Sequence, residues 1–110
     1  MHKDKRQRLE RAGWVIGDAG DLLRLSDGER GFIETKLALA SGLRRRREQL
    51  GLTQTELARR SRSSQSRVAK MEAADQTVSI DLLLRSLFRL GASRRDIARL
   101  LGQKPRIRAA

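Results

Sequence analysis

Apolar residues recur at intervals of three and four over most of the chain, a spacing that predicts helices rather than strands. The clearest run opens at Ser26, where Ser-Asp-Gly-Glu fits a capping box, and predicts a helix from about residue 27. Gly51 is suited to end this helix. Its apolar positions are Ile33, Leu37, Ala40 and Leu43.

Four shorter helices are predicted downstream, each opened by a hydroxyl residue that can accept a backbone N–H at the helix start. The opening residues are Thr53, Ser64, Ser79 and Ser93. The second helix extends to about Arg60 and the third to about Ala73. The fourth ends at Gly91 and the fifth at Gly102. No convincing hairpin is present, so the pattern predicts an all-α fold of about five helices.

No internal repeat and no Pro-rich linker divides the chain, which indicates one domain with two ends. Residues 1–31 are interpreted as an N-terminal extension, residues 32–102 as the domain and residues 103–110 as a basic tail. In the extension, residues 3–12 are compatible with a short charged helix, and residues 14–16 with a strand or an extended arm. Such an arm would serve interaction or dimerisation, or Trp14 would dock on the helices.

The distribution of charge along the chain indicates the class of partner. The chain has 25 Lys and Arg against 13 Asp and Glu, a net charge of +12. Residues 1–31 hold seven bases and six acids, a net charge of +1, so the remainder carries +11. A polyanion, above all nucleic acid, is therefore the expected partner of residues 32–110. The five arginines of the last two helices are interpreted as solubilising: Arg85, Arg89, Arg94, Arg95 and Arg99.

The residue types that most enzymes need are missing. There is no Cys, the single histidine is His2, and no glycine-rich phosphate-binding loop occurs. We therefore predict no enzyme activity, no metal site and no cofactor. No apolar run approaches the roughly 20 residues that span a bilayer, and the charged start has no hydrophobic region after it, so no membrane partner and a cytoplasmic location are expected.

The second and third helices, with three residues between them, have the spacing of a helix-turn-helix, whose second helix enters the DNA major groove. Polar residues of the third helix, Gln65, Ser66, Arg67 and Lys70, suit contacts with base edges. Thr53 and Gln54 suit a phosphate at the start of the second helix. By spacing alone, a helical hairpin that does not bind DNA is equally compatible.

Two stretches make the resemblance more specific: LRRRREQLGLTQTELA at residues 43–58 and SQSRVAKME at residues 64–72. Over roughly residues 36–102 the chain resembles the Cro/C1-type (XRE) helix-turn-helix repressors, which implies a lambda-repressor-like bundle. The resemblance implies that Gln54 contacts the DNA backbone. It places the DNA-binding surface on Thr53, Gln54, Ser64, Gln65, Ser66, Arg67 and Lys70, with Arg67 on a phosphate or a base. It also implies a buried structural ion pair between Arg47 and Glu72.

Three positions depart from the family's pattern. Arg62 stands where the turn usually carries Gly, so the turn needs a non-glycine residue at positive φ or a different geometry. Ser61 and Ser63 replace apolar residues and should thin the packing between the second and third helices. Asp75 tolerates the left-handed conformation better than Ala74, so we expect the third helix to stop one residue later than usual.

The resulting hypothesis is a sequence-specific regulator of double-stranded DNA, a repressor that binds a near-palindromic operator as a homodimer. The alternative is an antitoxin that represses its own operon and binds a toxin through residues 1–31. A third hypothesis is an architectural or RNA-binding protein that uses charge alone. The sequence leaves two questions open. They are whether Arg44 to Arg47 follow phosphates, and whether Ile97, Leu100 and Leu101 belong to the core or to a dimer contact.

Overall fold

The computed structural model describes residues 26–103, and five α-helices with no strand make up this part of the chain. The helices are α1 (Asp27–Gln49), α2 (Gln54–Arg60), α3 (Gln65–Glu72), α4 (Ile80–Arg89) and α5 (Arg94–Gly102). The all-α prediction is confirmed. α1 runs unbroken across residues 31 and 32, where the charge distribution divided the chain. The expected helix and arm in residues 3–16, and the tail from residue 104, lie outside the described residues.

Each helix begins directly after the predicted hydroxyl residue. The side chains of Ser26, Thr53, Ser64, Ser79 and Ser93 each accept the backbone N–H three residues downstream. Two caps are reciprocal, because the Thr53 N–H donates to Glu56 Oε1 at 3.1 Å and the Ser93 N–H donates to Asp96 Oδ2 at 2.8 Å. These contacts satisfy backbone donors that the first turn of a helix leaves without partners.

The ends of α1 to α4 are each followed by one residue in the left-handed conformation. Glycine fills this position after α1 and α4, with φ of +70° at Gly51 and +84° at Gly91. Arg62 follows α2 at φ +53° and Ala74 follows α3 at φ +55°. In each case the next N–H donates back to the last turn, as from Asp75 to the Lys70 carbonyl at 3.0 Å.

The expectation that α3 stops one residue later, at Asp75, is wrong. Ala74 takes the left-handed position although Asp75 tolerates it better. Two contacts explain the choice. The Ala74 side chain is 1% exposed and belongs to the core, and the Asp75 carboxylate accepts hydrogen bonds from the Thr77 N–H at 2.9 Å and hydroxyl at 2.6 Å. If α3 ended one residue later, with Asp75 in the left-handed position, both the burial of Ala74 and the hydrogen bonds from Thr77 would be lost.

The core is continuous and centres on α1, which packs against α3, α4 and α5. Ile33, Ala40 and Leu43 are buried as predicted, Leu37 is half-buried, and Leu39 is a further buried residue of α1. The other large, fully buried side chains are Leu57, Val68, Met71, Leu83 and Leu87. The core therefore holds α2 and α3 against the remaining helices through Leu57, Val68 and Met71.

The backbone of α1 approaches α5 closely at Gly42. A Cβ atom at this position would lie 2.6 Å from Leu100 Cδ1, so the absence of a side chain lets Leu100 sit on the helix. The sequence did not decide whether three residues of α5 belong to the core or to a dimer contact. In the structure, Ile97 is buried, Leu100 is half-buried and Leu101 is 50% exposed. None of the described helices is long and apolar enough to cross a membrane.

Candidate nucleic-acid interface

α2, the turn at residues 61–64 and α3 form a helix-turn-helix, with α2 and α3 packed against each other. Of the two geometries that the absence of glycine left open, the structure has a positive φ at Arg62, and the Ser63 N–H donates to the Ala58 carbonyl at 2.8 Å. The hydroxyls of Ser61 and Ser63 are buried and have no hydrogen-bond partner within the described residues. A buried hydroxyl without a partner is unfavourable, so these serines weaken the junction that orients α3.

Arg47 and Glu72 tie α1 to the end of α3. Arg47 Nε lies 2.5 Å from Glu72 Oε2, and Arg47 Nη2 lies 3.0 Å from Glu72 Oε1. The third nitrogen of the same guanidinium, Nη1, donates to the Leu52 carbonyl at 2.8 Å. The two side chains are 13% and 5% exposed. The hydrogen bond to Glu72 raises the pKa of Arg47, so the guanidinium keeps its charge.

A chain of hydrogen bonds leads from this ion pair to the surface of α3. Gln54 donates Nε2 to Glu72 Oε1 at 3.2 Å, and Gln65 donates Nε2 to Gln54 Oε1 at 2.7 Å. A carboxylate only accepts hydrogen bonds, so Gln54 must turn its NH2 group towards Glu72 and its oxygen towards Gln65. Gln65 is exposed at the first turn of α3, and this arrangement leaves its Oε1 and one N–H available.

The remaining predicted DNA-binding residues fall into two groups. Thr53 and Ser64 use their side-chain oxygens to cap α2 and α3, by accepting the N–H groups of Glu56 and Arg67. Ser66, Arg67 and Lys70 are exposed on α3. Together with Ser64 and Thr77 they line an open surface groove beside α3. Two basic residues at an open groove suit an anionic backbone.

Two contacts that hold the helix-turn-helix in place were not predicted from the sequence. Lys36 is 3% exposed, and its Nζ donates to the Gln76 carbonyl at 3.4 Å, which fixes the loop between α3 and α4. Desolvation lowers the pKa of Lys36, and the nearby Asp75 carboxylate opposes this effect. Lys36 stands four residues before Ala40 and seven before Leu43, so the apolar spacing itself placed it on the buried face.

Arg89 is the second missed contact. Its Nη1 donates to the Ser61 carbonyl at 3.1 Å, at the end of α2. The interpretation of Arg89 as merely solubilising is therefore wrong. No spacing rule could have identified this contact, because 28 residues separate the two partners.

The arginine run of α1 divides by burial. Arg44 and Arg45 are exposed, and Arg44 Nε lies 3.5 Å from Glu48 Oε1. Arg46 and Arg47 turn inward, where Arg46 Nε donates to the Leu90 carbonyl at 2.8 Å. Two of the four guanidinium groups therefore make contacts within the fold, which leaves Arg44 and Arg45 as the exposed members of the run. Within residues 26–103, no group of three or more His, Cys, Asp or Glu residues could hold a metal ion.

Comparison with known proteins agrees with this geometry. Residues 43–85 match the family model described as helix-turn-helix, and this segment runs from Leu43 in α1 to Arg85 in α4. No curated protein and no solved structure matches the chain. The matched segment contains all of α2, the turn and α3, with both partners of the Arg47–Glu72 pair. The chain therefore carries a Cro/C1-type helix-turn-helix domain, the DNA-binding domain of transcriptional regulators.

Proposed function

We propose that the protein is a sequence-specific repressor that inserts α3 into the major groove of a near-palindromic operator as a homodimer. The observation that supports this proposal best is the oriented amide of Gln65. A glutamine that contacted only phosphates would need to present N–H groups alone, whereas this arrangement also leaves Oε1 free, and base recognition uses a donor together with an acceptor.

The orientation of Gln65 favours adenine. Its Oε1 is free to accept from the adenine N6 amino group, and its second N–H is free to donate to N7. A bidentate contact of this kind discriminates against the wrong base by about 1–3 kcal/mol. Lys70 and Ser66, exposed on the same helix, are proposed to contact neighbouring bases. Gln54, at the start of α2, is proposed to contact a phosphate as well as holding Gln65.

A dimer is proposed because one recognition helix contacts too few base pairs for useful specificity in a genome. α4 and α5 both pack on α1 and carry two half-exposed apolar side chains, Phe88 at 46% and Leu101 at 50%. We propose that Leu101 contributes to the contact between protomers. A Leu101→Glu variant should then sediment as a monomer at concentrations where the unchanged protein is a dimer.

The experiment that tests this function is selection of bound duplexes from a randomised pool, followed by sequencing. The unchanged protein should enrich a site with two related half-sites about one helical turn apart. The Gln65→Ala variant should enrich the same site with one position of each half-site relaxed. Enrichment of no common site would contradict the proposed function, and an identical site with the variant would contradict the role of Gln65.

A second candidate function, the antitoxin, is favoured by one observation. Phe32 is 51% exposed although it shares the α1 face of the buried Lys36 and Leu39. It also lies outside the segment that matches the helix-turn-helix family. An exposed aromatic side chain on an otherwise buried face suits the anchor of a protein partner. Under this hypothesis, the product of a neighbouring gene co-purifies with the protein, and Phe32→Ala weakens that association without weakening DNA binding.

A further inference from the structure

Arg62 occupies a backbone conformation that favours glycine. Its φ is +53°, whereas the equivalent positions after α1 and α4 are filled by Gly51 and Gly91. Ala74, the other exception, has a buried side chain that contributes to the core. The Arg62 side chain is exposed and makes no hydrogen bond or salt bridge within residues 26–103. It therefore adds nothing to the described fold that offsets its backbone strain, and strain of this kind is typical of ligand-binding positions.

The position of Arg62 indicates what it binds. Arg62 stands two residues before Ser64, the residue that caps α3. When the first turn of a helix meets base edges in the major groove, the chain that enters the helix must cross the rim of the groove, where the phosphates lie. A guanidinium at this point of the chain is therefore expected within reach of a phosphate, whose oxygens suit its planar set of donors.

A second cation is held at the same turn. The bond from Arg89 Nη1 to the Ser61 carbonyl places a guanidinium at the residue directly before Arg62. Within the described residues, neither Arg62 nor Arg89 forms a salt bridge with a carboxylate. Two unneutralised guanidinium groups at one turn raise the local positive potential, and an anion bound there would relieve it.

We infer that Arg62 binds a phosphate of the DNA backbone at the rim of the major groove, with Arg89 strengthening the positive potential of that site. The inference rests on the proposed function, because it requires α3 to enter the groove. It assigns to Arg62 a contact with every DNA sequence alike, unlike the base contacts of Gln65. A glycine at this position would relieve the backbone strain but lose the contact.

The test compares three variants by fluorescence anisotropy on the duplex selected by the unchanged protein and on a shuffled duplex, over a series of salt concentrations. Arg62→Gly removes the side chain and relieves the strain. Ala74→Gly relieves the same strain at the other end of α3 without changing charge. Arg95→Gln removes one positive charge from α5, which packs on α1.

Arg62→Gly should bind both duplexes about three- to tenfold more weakly, and the slope of log K against log salt should become shallower by about 0.9 per protomer. Its melting temperature should not fall, since glycine suits the conformation. Ala74→Gly and Arg95→Gln should keep the slope of the unchanged protein.

An unchanged slope in Arg62→Gly would overturn the inference. An equally shallower slope in Ala74→Gly would also overturn it, because backbone flexibility would then explain the change. If the slope changes as expected but the unchanged protein binds both duplexes equally, the phosphate contact stands and the proposed sequence-specific function fails.

Discussion

Breaking the Arg47–Glu72 ion pair should be the most damaging single change in the domain. The two side chains are 13% and 5% exposed, so removing Glu72 leaves a guanidinium in a site that excludes most water. Breaking a buried pair from one side costs about 3–5 kcal/mol, whereas replacing both partners by apolar residues is often neutral. We therefore expect Glu72→Met to lower the free energy of unfolding by about 3–5 kcal/mol.

The double variant Arg47→Met with Glu72→Met should recover most of that loss. A deficit of about 1 kcal/mol should remain, because Arg47 also donates to the Leu52 carbonyl at 2.8 Å and methionine cannot. Urea denaturation followed by circular dichroism measures both variants. A cost below about 1 kcal/mol for Glu72→Met, or a double variant no more stable than the single one, would refute the reasoning.

The same double variant also tests how the ion pair acts on DNA recognition. Without the Glu72 carboxylate, Gln54 is free to rotate its amide, and Gln65 is no longer held as a donor to it. The folded double variant should therefore lose part of its preference for adenine at the position that Gln65 contacts. An unchanged preference would show that the Gln65 amide is oriented by DNA alone.

Three further predictions follow from particular contacts. Ser61→Ala should raise the free energy of unfolding by about 1 kcal/mol, because it removes a buried hydroxyl without a partner; a lower stability in urea denaturation would contradict this. Gly42→Ala overlaps with the Leu100 methyl groups, a cost of about 1–3 kcal/mol that the better helix propensity of alanine offsets by about 1 kcal/mol, so the free energy of unfolding should fall by at most about 2 kcal/mol. Adding Leu100→Ala should make the Gly42 change less costly than it is alone; additive effects would contradict the contact. Hydrogen bonds at the helix starts lower the pKa values of Glu56 and Asp96. The stability that these two carboxylates contribute is therefore present above their unfolded pKa values near 4, and it is lost as pH falls through the lower folded values. In an acid titration of the melting temperature, Asp96→Asn should lose less stability than the unchanged protein, and an equal loss would contradict this.

The helix boundaries were predictable because their causes are local. Ser26, Thr53, Ser64, Ser79 and Ser93 each satisfy backbone N–H groups within three residues of themselves. Such a contact is visible in the sequence as a residue type at a fixed offset. The ion pair, by contrast, was expected only through the resemblance to a family, since 25 residues separate Arg47 from Glu72.

The end of α3 could not be predicted from local preference. Asp75 tolerates a positive φ better than alanine, but the burial of Ala74 and the two bonds from Thr77 to Asp75 decide the conformation. These are tertiary and loop contacts that the intrinsic preference does not include. The structural contact of Arg89 was missed for the same reason, because its partner, the Ser61 carbonyl, lies at the end of a different helix, α2.

The orientation of Gln65 shows how far sequence reasoning extends within the site. The residue type and its place at the start of α3 were sufficient to nominate it for base contact. Which amide atom faces outward depends on a chain of contacts that leads through Gln54 of α2 to Glu72 at the far end of α3. That direction decides which base is favoured, and only the three-dimensional arrangement supplies it.

The measurement that tests the central claim most directly is a fluorescence-anisotropy titration at near-physiological salt. It compares the duplex enriched by the protein with a shuffled duplex of equal composition. Recognition through an oriented α3 predicts binding to the enriched duplex that is tighter by about 10³-fold or more. Equal affinity for the two duplexes would contradict it, and would identify a protein that binds DNA through its charge alone.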